Sequence, residues 1–473
     1  MRIKENLLEK SADALLELGR IEESESHYDE ALFNYNNALS IYKNIGHYEG
    51  VVQSYSFIAE TYLNQSQYDN SLRILSEALK LTETHSLLRF KGKIYQFFGK
   101  IYHEKGENQR SLDYHIQALD MFQKRENLFE EATQLGNIGR AHRALGNYDQ
   151  AVTHYVQSIQ IAQKIGDKRT EGRQLANLGS TYNALGSYEL AVSNLNQSIE
   201  ISRQIGDKRN EGSNLGTLGL IYKNQGEYET AIEHYKMAIK IARDIGNLKS
   251  EATNLGNLAL AYRYLGKTKD AIFHIKQAIQ IVQQSGNKVT EGRHLGNLGI
   301  IYQSLGEYEK AKKYFELSLQ RALEINDLRM VGRKLGDLGI ISQNLGDLKK
   351  ALSYFTQSIE ISKELGDRRT QGIHLGNLGD VLLKDGQLEA SYEAIQKSLV
   401  ICDEIYPTAA GVFRGTLALV MLQKNNTDQA LEALEIGEPL VKNFSFEYGK
   451  FLCKKMQVLL KINQREEAIQ VLE

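Results

Sequence analysis

Glycine returns every forty residues along most of this chain, at Gly146, Gly186, Gly226, Gly266, Gly306, Gly346 and Gly386. Alanine keeps the same step through Ala151, Ala191, Ala231, Ala271, Ala311 and Ala351. No insertion interrupts the period between residues 127 and 405. A fixed period of this length is the mark of stacked supersecondary units. Such a chain grows by adding units rather than by enlarging one core, so its 473 residues read as one continuous domain, 1–473, where length alone would suggest two or three.

A single unit reads as a helical hairpin. Leu175, Leu178, Tyr182 and Leu185 fall three or four apart and form the apolar stripe of a first helix, which Gly186 ends. Tyr188, Ala191, Val192, Leu195, Ile199 and Ile201 form the stripe of a second, which ends at Gly206, a residue suited to the left-handed position after a helix. Asp207 follows, and its equivalents Asn127, Asp167, Asn247, Asn287, Asp327 and Asp367 are all of the type preferred at helix N-caps. Each first helix also carries glycine in mid-helix, at a cost of roughly 1 kcal/mol relative to alanine. The reason expected for Gly139, Gly179, Gly219, Gly299, Gly339 and Gly379 is close approach of the paired helix.

The motif LGxxY followed by LGxYxxA resembles the tetratricopeptide repeat, with a second helix longer than usual by about a turn and a half. The connecting GDxxxEGR is similar to that in arrays of Pins/LGN-type adaptors and of bacterial regulatory proteins. The resemblance implies an all-α, right-handed superhelical solenoid of about twelve helix-turn-helix pairs. Residues 1–126 are divergent N-terminal repeats, 127–405 seven regular ones, and 406–473 divergent C-terminal repeats whose register slips by one after Pro407. The last is expected to be incomplete, with more protein following Glu473.

In arrays of this family the first helices line the concave surface. Position transfer then puts Asn137, Asn177, Asn257, Asn297 and Asn377 where relatives hold a ligand's main chain; Thr217 and Asp337 depart from the pattern. An amide offers a donor and an acceptor together, the pair that grips a peptide unit. With first helices about 8–10 Å apart, one amide would meet every third residue or so of a strand rising about 3.3 Å per residue. The other reading is that these asparagines tie one helix to the next. The small residues just before them, Gly136, Ala176, Gly216, Gly256, Gly296, Gly336 and Gly376, either leave the groove floor open or permit tight packing between repeats.

Basic residues gather on the same inferred face: Arg173, Arg293 and Arg333 at one repeat position, with Arg140, Arg143, Lys223 and Arg263 nearby. Carboxylates there are fewer, chiefly Asp337 and Asp380. The stripe favours an acidic protein or peptide segment, by steering and by bidentate contacts, unless it is merely solvated charge. At Phe57 and Phe97 the asparagine position turns aromatic, so that end should take an apolar anchor or be covered by neighbouring helices.

Apolar residues at 42% and charged residues at 25% are ordinary for a folded chain, and a net charge of −2 gives no bulk attraction to nucleic acid or anionic membrane. Cys402 and Cys453 suggest neither a disulfide frame nor a zinc site, and Cys402 reads as a small buried hydrophobe. His154, His234 and His274 share one second-helix position on separate repeats, so no metal site is expected of them. The N-terminus has no apolar signal core and no run is long enough to cross a bilayer, which points to a cytoplasmic protein. No phosphate-binding loop, HExxH or GxSxG motif is present, so neither enzyme activity nor a cofactor is expected. Two functions remain: an adaptor or scaffold gripping a protein segment, or the sensor region of a larger signalling or defence protein bearing an ATPase or caspase-like peptidase domain. Oligomeric state is left open.

Overall fold

A computed structural model describes residues 2–471, and among these every regular element is helical. Contacts divide the chain into two compact units, Met1–Gly226 and Glu227–Glu473. The first holds α1 (Arg2–Ser24), α2 (Tyr28–Asn44), α3 (Tyr48–Asn64), α4 (Tyr68–Thr84), α5 (Lys91–Glu104), α6 (Asn108–Gln123), α7 (Leu128–Ala144), α8 (Tyr148–Ile165), α9 (Lys168–Ala184), α10 (Tyr188–Gln204) and α11 (Lys208–Gln225). A short 3-10 turn, Leu88–Phe90, precedes α5. The second unit holds α12 (Tyr228–Asp244), α13 (Leu248–Tyr264), α14 (Thr268–Gln284), α15 (Lys288–Ser304), α16 (Tyr308–Glu324), α17 (Leu328–Asn344), α18 (Leu348–Glu364), α19 (Arg368–Lys384), α20 (Leu388–Ile405), α21 (Pro407–Gln423), α22 (Thr427–Val441), α23 (Ser445–Lys461) and α24 (Arg465–Gln470). Within each unit, consecutive helices pack as antiparallel hairpins, and each hairpin packs on the next.

The punctuation follows local chemistry. All seven residues expected as N-caps accept a hydrogen bond from the backbone N–H three residues on, as Asp207 does from Asn210 and Asp367 from Thr370. Gly206 turns the chain with φ +70°, and Asn326 holds the equivalent left-handed position between α16 and α17 at φ +54°.

Mid-helix glycines answer two different packing demands. A methyl at Gly139, Gly299 or Gly339 would lie 2.8 Å from the ring of Tyr155, Phe315 or Phe355, sixteen residues on in the paired helix. At Gly379 it would meet Ile395 at 2.5 Å. The close-approach expectation therefore holds at these positions.

The preceding glycines serve the next repeat. Gly136, Gly256, Gly296 and Gly336 receive the side chains of Gln174, His294, Lys334 and His374, each thirty-eight residues on in the next first helix. Gly376 receives the Phe413 ring at thirty-seven, which is the one-residue slip after Pro407 seen as packing. Of the two readings left open for these small residues, tight packing between repeats is the one the structure adopts.

Polar stitches complete the joins. Ser158, Ser198, Ser318, Ser358 and Ser398 each donate to a first-helix carbonyl twenty-six residues back, at 2.6–2.7 Å. Glu171, Glu211, Glu251 and Glu291 are buried yet satisfied by a side chain on the preceding second helix, such as Arg203 to Glu211 at 2.8 Å. Two histidines of the second helices stack on first-helix rings of their own hairpin: His154 on His142 at 5.3 Å and His274 on Tyr262 at 5.5 Å. Cys402 is 1% exposed and packs under Gly372. No helix of the described residues is long and apolar enough to cross a membrane.

Candidate functional site

Asparagine at position ten of a first helix lies one turn after the arginine at position six, so Arg173 and Asn177, or Arg293 and Asn297, share a face. All five asparagines are half-buried, while Arg173, Arg293 and Arg333 are exposed. Asn137 and Asn177 each lean on the glutamine three residues back, at 3.5 and 2.9 Å. The amides of Asn257, Asn297 and Asn377 make no hydrogen bond within the described residues.

In the second unit the first helices α15, α17, α19 and α21 line a groove of about 1100 Å³, which α23 walls. Ile300, Ile340, Ile373 and Val412 supply apolar lining; Asn377, Arg263 and Lys384 are polar. Lys450, Cys453, Lys454 and Gln457 come from α23. No hydrogen bond reaches the buried Nε of Arg263, although its guanidinium lies 4.3 Å from the Tyr264 ring centroid. Burial pushes the Lys450 ammonium below the ordinary lysine value, and Lys454 adds to the push.

Both carboxylates expected on this face are neutralised internally. Asp337 binds Lys334 at 2.6 Å, and Asp380 accepts from Lys454 at 2.9 and 3.1 Å and from Thr416 at 2.5 Å. Lys454 also donates to Thr416 Oγ1 at 2.6 Å, tying α23 to α19 and α21.

In the first unit Arg140 and Arg143 line a pocket of about 270 Å³ with His103, Ala144, Tyr148 and Ala184. Loss of water around the half-buried Arg140 pushes its guanidinium below the ordinary arginine value, and Arg143 adds to the push. Lys223 is half-buried on α11.

Of the two readings of the aromatic end, the structure sets aside the open apolar anchor and shows the cover, by α1 and α2 at Phe57. Phe97 is only 2% exposed, with Lys93 and Lys100 at 5.6 and 5.2 Å from its ring centroid, so it offers no apolar anchor. The position-transfer argument missed this because it ignored the two lysines on the same helix, four before and three after. Phe57 is half-buried, stacked on Tyr35 at 5.3 Å, and has Arg20 at 5.8 Å. Sequence reasoning also missed the α23 wall. Its signal was available as Lys450, Lys454 and Lys461, spaced four and seven apart on one helical face.

Hairpins stacked through glycine pockets and presenting one polar face define a helical repeat protein. Residues 90–164, 129–204, 173–244 and 208–284 match the tetratricopeptide repeat, and residues 258–473 match the MalT-like TPR region. The chain belongs to the tetratricopeptide repeat proteins. Among solved structures it is similar to apo RapI, with 14% identity over 75% of this chain and 98% of that one, at a TM-score of 0.58. A Rap protein complexed with Competence and Sporulation Factor gives 14% identity, 76% and 99% coverage, and 0.51. A Signal Transduction ATPase with Numerous Domains (STAND) protein with a tetratricopeptide repeat sensor, from Pyrococcus horikoshii, gives 18% identity and 0.54, covering 75% of this chain and 55% of that one. These likenesses are of fold. No curated protein matches the sequence.

Proposed function

We propose that the chain is a non-catalytic interaction scaffold which holds an acidic segment of another protein along the inner faces of its first helices. The observation that carries this is the set of half-buried amides at Asn257, Asn297 and Asn377, which have no internal partner. Their amide atoms stay open to solvent, so the donor and acceptor of each are available to the C=O and N–H of an extended main chain. Arg293 and Arg333 on the same face form no ion pair, whereas Asp337 and Asp380 do, so the uncompensated charge is positive and suits carboxylates. The Rap structure with Competence and Sporulation Factor supports a bound factor on this fold. The setting is cytoplasmic, and the partner is a protein segment rather than nucleic acid, since a net charge of −2 supplies no bulk attraction to a polyanion. A second reading, a sensor region within a larger signalling protein, is favoured by the fold likeness to the STAND protein's chain with its repeat sensor.

The test is recovery of partners from lysate by wild type and by Arg293→Glu/Arg333→Glu. Loss of the partner with the fold intact is expected; undiminished recovery would rule out the basic inner face as the binding surface.

A further inference from the structure

The pocket of the first unit has a chemistry of its own. It opens where α5, α7 and α9 end, and Arg140, Arg143 and His103 converge on about 270 Å³. Neither arginine forms an ion pair, and Arg140 makes no hydrogen bond among the described residues. The nearest carboxylate influence on Arg140 is Glu104, which is exposed and outside ion-pair distance. His103 Nδ1 is buried with no hydrogen bond. Arg140 in turn lies close enough to Arg173, one repeat on, to push its guanidinium down.

Helix C-termini attract cations, which is the ordinary reason for a basic last turn. The partial charge there is only about −0.5 per helix. With α5, α7 and α9 all ending here, the three termini carry about −1.5 together against the two full guanidinium charges of Arg140 and Arg143, so a positive excess of about half a charge remains.

We infer that this pocket takes a phosphoryl group carried on the side chain of a bound peptide. Two guanidinium groups and an imidazole match three terminal oxygens and a charge near −2, whereas a carboxylate offers two oxygens and a single charge. The volume lies below the range of drug-sized ligands and suits one modified side chain. Asn137 and Asn177, half-buried on α7 and α9, lie on the same helices for the peptide's main chain. The inference rests on the groove reading and adds the class of its ligand.

The test uses the full chain and degenerate peptide libraries centred on phosphoserine, on glutamate or on serine, read by fluorescence anisotropy with inorganic phosphate as competitor. Phosphoserine should bind at least about ten-fold better than glutamate, a difference of roughly 1.4 kcal/mol. Arg140→Gln/Arg143→Gln should bring phosphoserine binding down to the level of the glutamate library while leaving thermal unfolding unchanged. Equal binding of the phosphoserine and glutamate libraries overturns the inference, as does a preference that survives the double substitution. Inorganic phosphate competing as well as the peptide overturns the peptide-borne occupant. Glutamate-library binding that is lost in Arg293→Glu/Arg333→Glu but shows no phosphoserine preference leaves the scaffold reading standing and removes only this one.

Discussion

Position ten of the first helix is aromatic in the second and third repeats and asparagine in most of the regular ones, and the two choices have opposite consequences. Phe97 is buried beneath Lys93 and Lys100, and Phe57 is sandwiched by Tyr35 and Arg20. There the inner face is closed by the protein's own side chains, above an apolar core that runs unbroken from Ala12 to Ile101. Asn257, Asn297 and Asn377 occupy the same position with amides that make no hydrogen bond among the described residues. One position thus serves stability in the second and third repeats and, on the function proposed, is left for a ligand at Asn257, Asn297 and Asn377.

Removing the side chain separates the two roles. Phe97→Ala should lower stability by about 3–5 kcal/mol, as expected for a fully buried ring; a loss below 1 kcal/mol in urea unfolding would show that the ring is not core. Next comes Gly336→Val, where the added methyl groups overlap the His374 ring. Overpacking of this kind costs about 1–3 kcal/mol, and His374→Ala in the same chain should recover part of it. Full additivity of the two would break the idea that glycine and histidine form one joint.

Acid should find the regular joints before it reaches the carboxylates. Burial pushes His294 and His374 down to about 4, and His115 of the third repeat to about 3, so the folded protein holds fewer protons than the unfolded chain. Their stabilising contribution is complete above the unfolded value near 6.5 and is lost as pH falls toward 4. The melting temperature should therefore drop between pH 7 and 5, and His294→Gln/His374→Gln should flatten that drop, because Gln174 already fills the equivalent pocket at Gly136. An identical pH profile for the variant would count against the buried histidines. Glu211 acts lower down. Although burial raises it, hydrogen bonds from Arg203 and Lys208 hold it below the ordinary glutamate value, so its contribution fades only as pH falls through the carboxylate range.

Asn297→Ala should have the smallest effect on stability, within about 0.5 kcal/mol, because no internal bond is lost. A large destabilisation would return the asparagines to the role of helix ties.

Much of the fold was legible because its signals are local. Asp207 and its equivalents cap the helix that follows them, and Gly139 or Gly339 makes room for a ring only sixteen residues away in the same hairpin. The joints between repeats were harder to read. A hole at glycine does not specify its filler, and Gln174, His294, Lys334, His374 and Phe413 share size more than chemistry. The serine stitches were missed for a related reason, since Ser158 and Ser358 alternate with Ala238 and Ala278 at the same position and look like neutral variation. The α23 wall lies beyond Pro407, where the forty-residue register no longer transfers positions.

Most direct for the central claim is the affinity of Asn257→Ala/Asn297→Ala/Asn377→Ala for the glutamate-centred peptide library, measured by fluorescence anisotropy alongside thermal unfolding. The open-amide account expects binding about ten-fold weaker or worse at an unchanged melting temperature. Undiminished binding, or weaker binding only in step with unfolding, would contradict it.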